Sequence, residues 1–89
     1  MANSAQAAKR ARQAVERRAR NMSMRSKLRT AISRASRAID SGDTEQAAAA
    51  YEQARPVIDS MVGKGIIHAN KAARHKSRLN KRLQALSAD

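Results

Sequence analysis

Three observations predict an all-α fold, an antiparallel three-helix bundle with a long N-terminal helix projecting as a basic spike. Residues 4–40 contain neither Gly nor Pro and are filled with Ala, Arg, Gln and Glu, good helix formers apart from scattered Ser and Asn. Turn signals follow at Ser41-Gly42-Asp43 and Gly63-Lys64-Gly65, where glycine suits the left-handed conformation that ends helices. Apolar residues recur at helical spacing on each side of these breaks. Three inward-facing stripes and two short connections fold the segments together as antiparallel neighbours.

The first helix has an apolar stripe only in its second half, where Leu28, Ile32, Ala35 and Ile39 recur at spacings of four, three and four. Its first half offers only Val15 and alanines. With no face to bury, the first twenty or so residues are expected to fray in solution and to order on a partner that neutralises them. The chain is thus a single domain over residues 1–89, with residues 1–25 a basic helical arm and residues 26–89 the bundle. The second helix opens at Asp43 as N-cap, with Gln46 completing a capping-box pattern and Glu45 placed favourably in the first turn. Its stripe is Ala47, Tyr51, Ala54, Ile58 and Met61. Pro56 cannot donate to the carbonyl of Glu52, which predicts a kink near Ala54. The third helix begins between residues 66 and 70, with Asn70 as N-cap, and carries Ala72, Leu79, Leu83 and Leu86 on one side.

The core shared by these helices is small. Apart from Met1, sixteen apolar side chains are larger than Ala, and most of the remaining hydrophobic count is alanine. A chain of this length buries a limited fraction of its surface, against a backbone entropy cost of about 1–2 kcal/mol for each ordered residue. Self-repulsion at a net charge of +12 acts in the same direction. The free protein is expected to be marginally stable, part of its fold depending on an anionic partner. Cysteine is absent, which excludes disulfides and thiolate metal sites. No apolar run approaches the roughly 18 residues that span a bilayer, and the N-terminus lacks the apolar core of a signal peptide. A soluble, intracellular protein is the expectation. The opening is Arg-rich and acid-poor like a transit peptide, but the basic pattern continues through Arg37 instead of ending with a removable segment.

Charge is segregated along the chain. Residues 1–37 hold eleven bases and only Glu16, a local balance of +10. Residues 38–63 hold Arg55 against Asp40, Asp43, Glu45, Glu52 and Asp59, a balance of −4, and residues 64–89 return to +6. Such a field attracts a polyanion at two surfaces and repels it from a third, which points to an oriented nucleic-acid partner. A solvated helix face normally mixes signs, unlike the first block. A membrane-surface helix would set Trp or Phe opposite its charge, and the chain has neither.

Catalysis finds little support. None of the middle acids is paired with a His or flanked by a run that would desolvate it. His68 and His75 lie seven residues apart, about two turns along a similar face, too far for a common metal. No metal-binding HExxH, phosphate-loop glycine motif or nucleophile elbow occurs. Neither a catalytic residue nor a metal ligand nor a cofactor is therefore assigned. The two imidazoles are equally compatible with hydrogen bonding to phosphate or sugar and with a plain surface role.

The kind of nucleic acid is narrowed by one absence. Tyr51 is the only aromatic residue and lies on the core stripe, so stacking of unpaired bases is not the mechanism. The spike suits a DNA major groove or folded RNA. Arg outnumbers Lys nine to two in the first block, in keeping with bidentate gripping of phosphates. Ser23, Ser26, Ser33 and Ser36 are short donors that let a helix approach a phosphate, or simply helix surface.

The segment KGIIHANKAARHKSRLNKRL, residues 64–83, resembles the C-terminal signature of the bacterial ribosomal protein family numbered twenty in the small subunit. The resemblance runs along nearly the whole chain. Ser4-Ala5 and Ala8-Lys9-Arg10-Ala11-Arg12-Gln13 resemble the family's basic opening, and Asn21, Arg25, Ser26, Arg29 and Thr30 match its next motif. Gly42-Asp43 and Pro56-Val57-Ile58-Asp59 fall where the family has its turn and kinked second helix. The opening departs from the family in carrying Gln6-Ala7-Ala8, where bases more often follow Ser-Ala directly.

The resemblance implies a structural protein without catalytic activity, a three-helix bundle low in the body of the small subunit that binds 16S ribosomal RNA directly and bridges separate RNA helices during assembly. It implies one copy per ribosome, neighbouring small-subunit proteins as further contacts, and no small-molecule substrate or membrane. Carried over by position, Lys9, Arg10, Arg12, Arg17 and Arg18, followed by Asn21, Arg25, Ser26, Arg29 and Thr30, would meet one RNA junction. Lys64, His68, Asn70, Lys71, Arg74, His75, Lys76 and Arg78 would meet another. The alternative of a different class is a histone-like architectural DNA-binding protein. Against it stand the missing dimerisation stripe in the N-terminal half and the missing apolar wedge at a helix tip. A basic module for an acidic protein partner would instead bind RNA weakly and without structural preference.

Overall fold

The computed structural model describes the backbone of residues 2–88 and the side chains of residues 4–88. Three helices follow one another: α1 over Ala2–Asp40, α2 over Thr44–Gly63 and α3 over Ala69–Ser87. No strand occurs among the described residues. The three pack as the predicted bundle, α1 lying mainly against α2. At about 1.5 Å per residue, the 39 residues of α1 are nearly twice as long as the 20 of α2. The excess has nothing to pack against and draws the molecule out to 70 × 21 × 14 Å. Every described side chain from residue 4 to residue 20 is exposed, and the first buried one in α1 is Leu28. α1 is continuous helix through this arm. The expected fraying concerns how strongly that helix is populated in solution.

The core forms where all three helices overlap. Leu28, Ala35 and Ile39 of α1 meet Ala47, Tyr51, Ala54, Ile58 and Met61 of α2 and Ala72 and Leu79 of α3. The α2 stripe is the one its spacing predicts, and Ile58 and Met61 are fully buried. Four of the ten core residues are alanines, which brings the helices close and leaves few large side chains to bury. Ile32, Leu83 and Leu86, assigned to the stripes by spacing, are only half-buried, because a three-helix bundle covers a narrower arc of each helix than the full stripe. Tyr51 is buried as expected, and its hydroxyl donates to the Lys76 carbonyl at 3.2 Å, tying α2 to α3.

The ends of the helices are set by local chemistry. Gly42 takes φ +82° and donates its N–H to the Ile39 carbonyl at 3.1 Å. The Ser41 hydroxyl donates to the Ala38 carbonyl at 2.6 Å and accepts the Asp43 N–H at 3.4 Å. Only half of the expected capping box therefore forms. The Asp43 carboxylate accepts the Gln46 N–H at 3.2 Å, but the Asp43 N–H is taken by Ser41 and not by the Gln46 side chain. At the second break Gly65, with φ +73°, donates to the Val62 carbonyl at 3.0 Å while Ile66 N–H reaches the Met61 carbonyl at 2.9 Å. This is a Schellman ending, in which Ile66 folds back onto the core. The third helix starts at Ala69, within the expected range, but its N-cap is His68 and not Asn70. The His68 Nδ1 accepts the Asn70 N–H at 3.0 Å, an imidazole doing what an Asn or Ser side chain usually does. α2 is a single helical segment through Pro56, and Glu52 and Pro56 are both exposed.

Candidate nucleic-acid interface

Lys9, Arg10, Arg12, Arg17 and Arg18 are all exposed on the free part of α1, as is Arg20. At about 100° per residue their positions surround the helix instead of forming one face. Among the described residues none of these bases is in an ion pair. The arm is a rod of unneutralised cations, interrupted only by Glu16 and by the exposed Val15 and Met22.

Where α1 enters the bundle its apolar stripe turns inward, and the bases are divided between its two flanks. Arg25 and Arg29 fall on the α3 side, in a groove that also takes Arg37 from α1 and Lys71 and His75 from α3. Ser26 and Thr30 fall on the α2 side, in a second groove with Lys27 and Arg34. Arg25 and Ser26 therefore line different grooves, because neighbours in sequence diverge around a helix, while Arg29 and Thr30 also meet in a shallow concavity with Ser33, Arg34 and Arg37 between the two flanks. Asn21 is half-buried at the base of the arm.

Lys64 lies in the α2–α3 connection with its Nζ 3.9 Å from the Met24 sulfur, so the connection touches α1 close to where the arm leaves the bundle. His68 and Asn70 are exposed at the start of α3. Lys71, Arg74 and Arg78 are exposed along one face of α3, and Lys81 continues it. Lys76 points the other way, its Nζ 2.7 Å from the Asp59 carboxylate of α2. Arg82 is turned toward α1, donating to Asp40 at 2.6 Å and to the Ser36 hydroxyl at 2.9 Å. Glu52 holds Arg55 at 3.1 Å. The acids of the middle segment thus anchor three bases internally and leave the outward faces of α1 and α3 unopposed.

His68 and His75 do not share a helix face, since His68 precedes α3 as its cap. His75 is half-buried, and its pKa is lowered below the usual 6.5 by desolvation first, then by the charges of Lys71, Arg78 and Arg74. Its neutral form is thereby favoured. No group of three or more His, Cys, Asp or Glu able to hold a metal occurs among the described residues. No helix among them is long and apolar enough to cross a membrane.

Motif matching overlooked Lys27, Arg34 and Arg37 in the grooves, Arg20 on the arm and Lys81 on α3. The signal was helical phase: Lys27 and Arg34 are seven residues apart on one flank, and Lys81 follows Arg74 and Arg78 at spacings of four and three.

Fold and charge together define a small, basic, all-α protein that presents cations on several faces of one bundle. The chain belongs to the ribosomal protein S20 family, whose model matches residues 2–84. It is 60% identical over its full length to the small ribosomal subunit protein bS20 of Acinetobacter baylyi, covering all of that protein as well. It is 56% identical over 98% of its length to the whole of the protein of that name from Nitrosococcus oceani. With that of Acinetobacter baumannii it shares 61% identity over 98% of this chain and 99% of the relative. The family is one of structural ribosomal proteins and not of enzymes.

Proposed function

We propose that this structural constituent of the small ribosomal subunit binds 16S rRNA directly and bridges separate rRNA helices during assembly. The observation that carries this reading is the separation of free bases into two surfaces of one body, the arm and the outward face of α3. Each can neutralise a different stretch of phosphate backbone and release its counterions. The arm, residues 1–25, meets one RNA region through Lys9, Arg10, Arg12, Arg17 and Arg18. The bundle, residues 26–89, meets another through Lys64, His68, Asn70, Lys71, Arg74, His75 and Arg78. Asn21, Arg25, Ser26, Arg29 and Thr30 act where the two regions converge. Lys76, held by Asp59 at 2.7 Å, is a strut between helices more than an RNA contact. The acidic exposed face of α2 is left for solvent or for neighbouring small-subunit proteins, and a single copy serves each ribosome in the bacterial cytoplasm.

The test is binding to folded 16S rRNA at near-physiological salt, with excess duplex DNA and an unrelated structured RNA as competitors, followed by footprinting. Retained binding with protection at two regions distant in the RNA sequence is the expected result. Equal displacement by both competitors would overturn it in favour of a general or DNA-directed architectural binder.

A further inference from the structure

The groove between α1 and α3, about 440 Å³, is large enough for a nucleotide-sized group. Its cations are Arg25, Arg29 and Arg37 from α1 and Lys71 from α3, and no carboxylate lines it. Leu28 and Ile32 form an apolar floor, and Ser33 and Ser36 add hydroxyls. The Ser36 oxygen already accepts from Arg82, which leaves its proton free to donate. Arg82 also occupies Asp40 at 2.6 Å, so the acid closest in sequence to Arg37 is already engaged. A single-signed concavity over a low-dielectric floor concentrates its field on an anion. α2 contributes no residue to it.

The group that sets this groove apart is His75. It lines the cavity and, among the described residues, its ring makes no hydrogen bond to the protein. The charges around it are all positive: Lys71, Arg74 and Arg78 on its own helix, and Arg25, Arg29 and Arg37 across the groove. Desolvation first, and then the charges of Lys71, Arg78 and Arg74, lower its pKa and favour the neutral ring in the free protein. An entering phosphate reverses the sign of the field at the ring and offers an acceptor to both of its nitrogens.

We propose that the α1–α3 groove seats a backbone phosphate of the RNA and that His75 takes up one proton from solvent as the phosphate enters, which makes this contact pH-sensitive. The proposal rests on the RNA-binding reading above. Because the bound ring has the higher pKa, affinity rises as pH falls through that value and levels off below the pKa of the free protein. Each unit between the two corresponds to about a tenfold change in affinity. The α1–α2 groove, with Lys27, Arg34, Ser26 and Thr30, has no titrating group in this range and serves as the control.

Binding of the full chain to folded 16S rRNA is measured at constant salt from pH 8 to pH 5.5. The expected gain is about threefold to tenfold for the natural protein, kept in Arg34→Gln whatever its absolute affinity and sharply reduced in His75→Gln. Calorimetry of the natural protein in two buffers of different ionisation enthalpy should show net proton uptake on binding near pH 6.5, independently of any variant's folding. Selective 16S binding without proton uptake, or an undiminished pH gain in His75→Gln, overturns the groove proposal and leaves the ribosomal reading standing. Loss of preference for 16S rRNA at every pH overturns both.

Discussion

Leu79 and Ile32 have the same apolar character in sequence, but Leu79 is 4% exposed while Ile32 edges a groove. Leu79→Ala is therefore expected to destabilise by about 2–5 kcal/mol, enough to unfold much of a small domain, with Ile32→Ala costing distinctly less. Urea titrations followed by circular dichroism would check the order, and equal losses would contradict it. Gly65 adopts φ +73° with open space around its Cβ position, so Gly65→Ala pays only backbone strain, about 1–2 kcal/mol. His75 links stability to pH. Its folded pKa lies below the unfolded value of 6.5, so the unfolded chain binds the proton more readily. Stability is unaffected by this group above pH 6.5 and declines as pH falls from there toward the folded pKa, a decline that His75→Gln should reduce. The caps show what can be inferred at this scale. Asp43 was legible because a carboxylate before Thr44 has few other uses, whereas His68 was not, since imidazole is a poor default cap and Asn70 stood two residues away.

At the scale of the helix, the arm of α1 is the element whose behaviour departs most from its packing. It buries nothing, and its bases repel one another along the rod. Helical content of the free protein is expected to rise with salt or on adding RNA as this repulsion is relieved, measured by far-UV circular dichroism; a content already complete at low salt would count against the expected fraying. Arg17→Gln with Arg18→Gln should weaken RNA binding across sequences and lower the salt slope by about two. A slope equal to that of the natural protein would remove these residues from the interface. α2 and α3 have defined caps and share a core. Their limits were legible because Gly, Asp and helical spacing act within a few residues of one another. Arg82, by contrast, holds α3 to α1 across an exposed pair, and Arg82→Ala should cost no more than about 1 kcal/mol.

Over the whole molecule, the seven bases of the C-terminal segment are unequal. Lys76 reaches Asp59 across 17 positions and Arg82 reaches Asp40 across 42, and both are tied to an acid of a neighbouring helix. Lys71, Arg74, Arg78 and Lys81 stay outward. Charge reversal of Arg74 and Arg78 should therefore reduce RNA affinity more than Lys76→Gln, which should mainly loosen α3 from α2; filter binding beside thermal melting separates the two, and equal affinity losses would contradict the assignment. The sequence by itself determined the three helices, the breaks between them, the small alanine-rich core and the two basic blocks around an acidic one. Propensity, turn chemistry and spacing are local, and charge along a chain can be counted without folding it. Only the tertiary structure decided which bases remain free, how Arg25 parts from Ser26 into two grooves, and that His75 stands among cations without a carboxylate. Those outcomes depend on helix rotation and on partners tens of residues away, which local spacing does not encode.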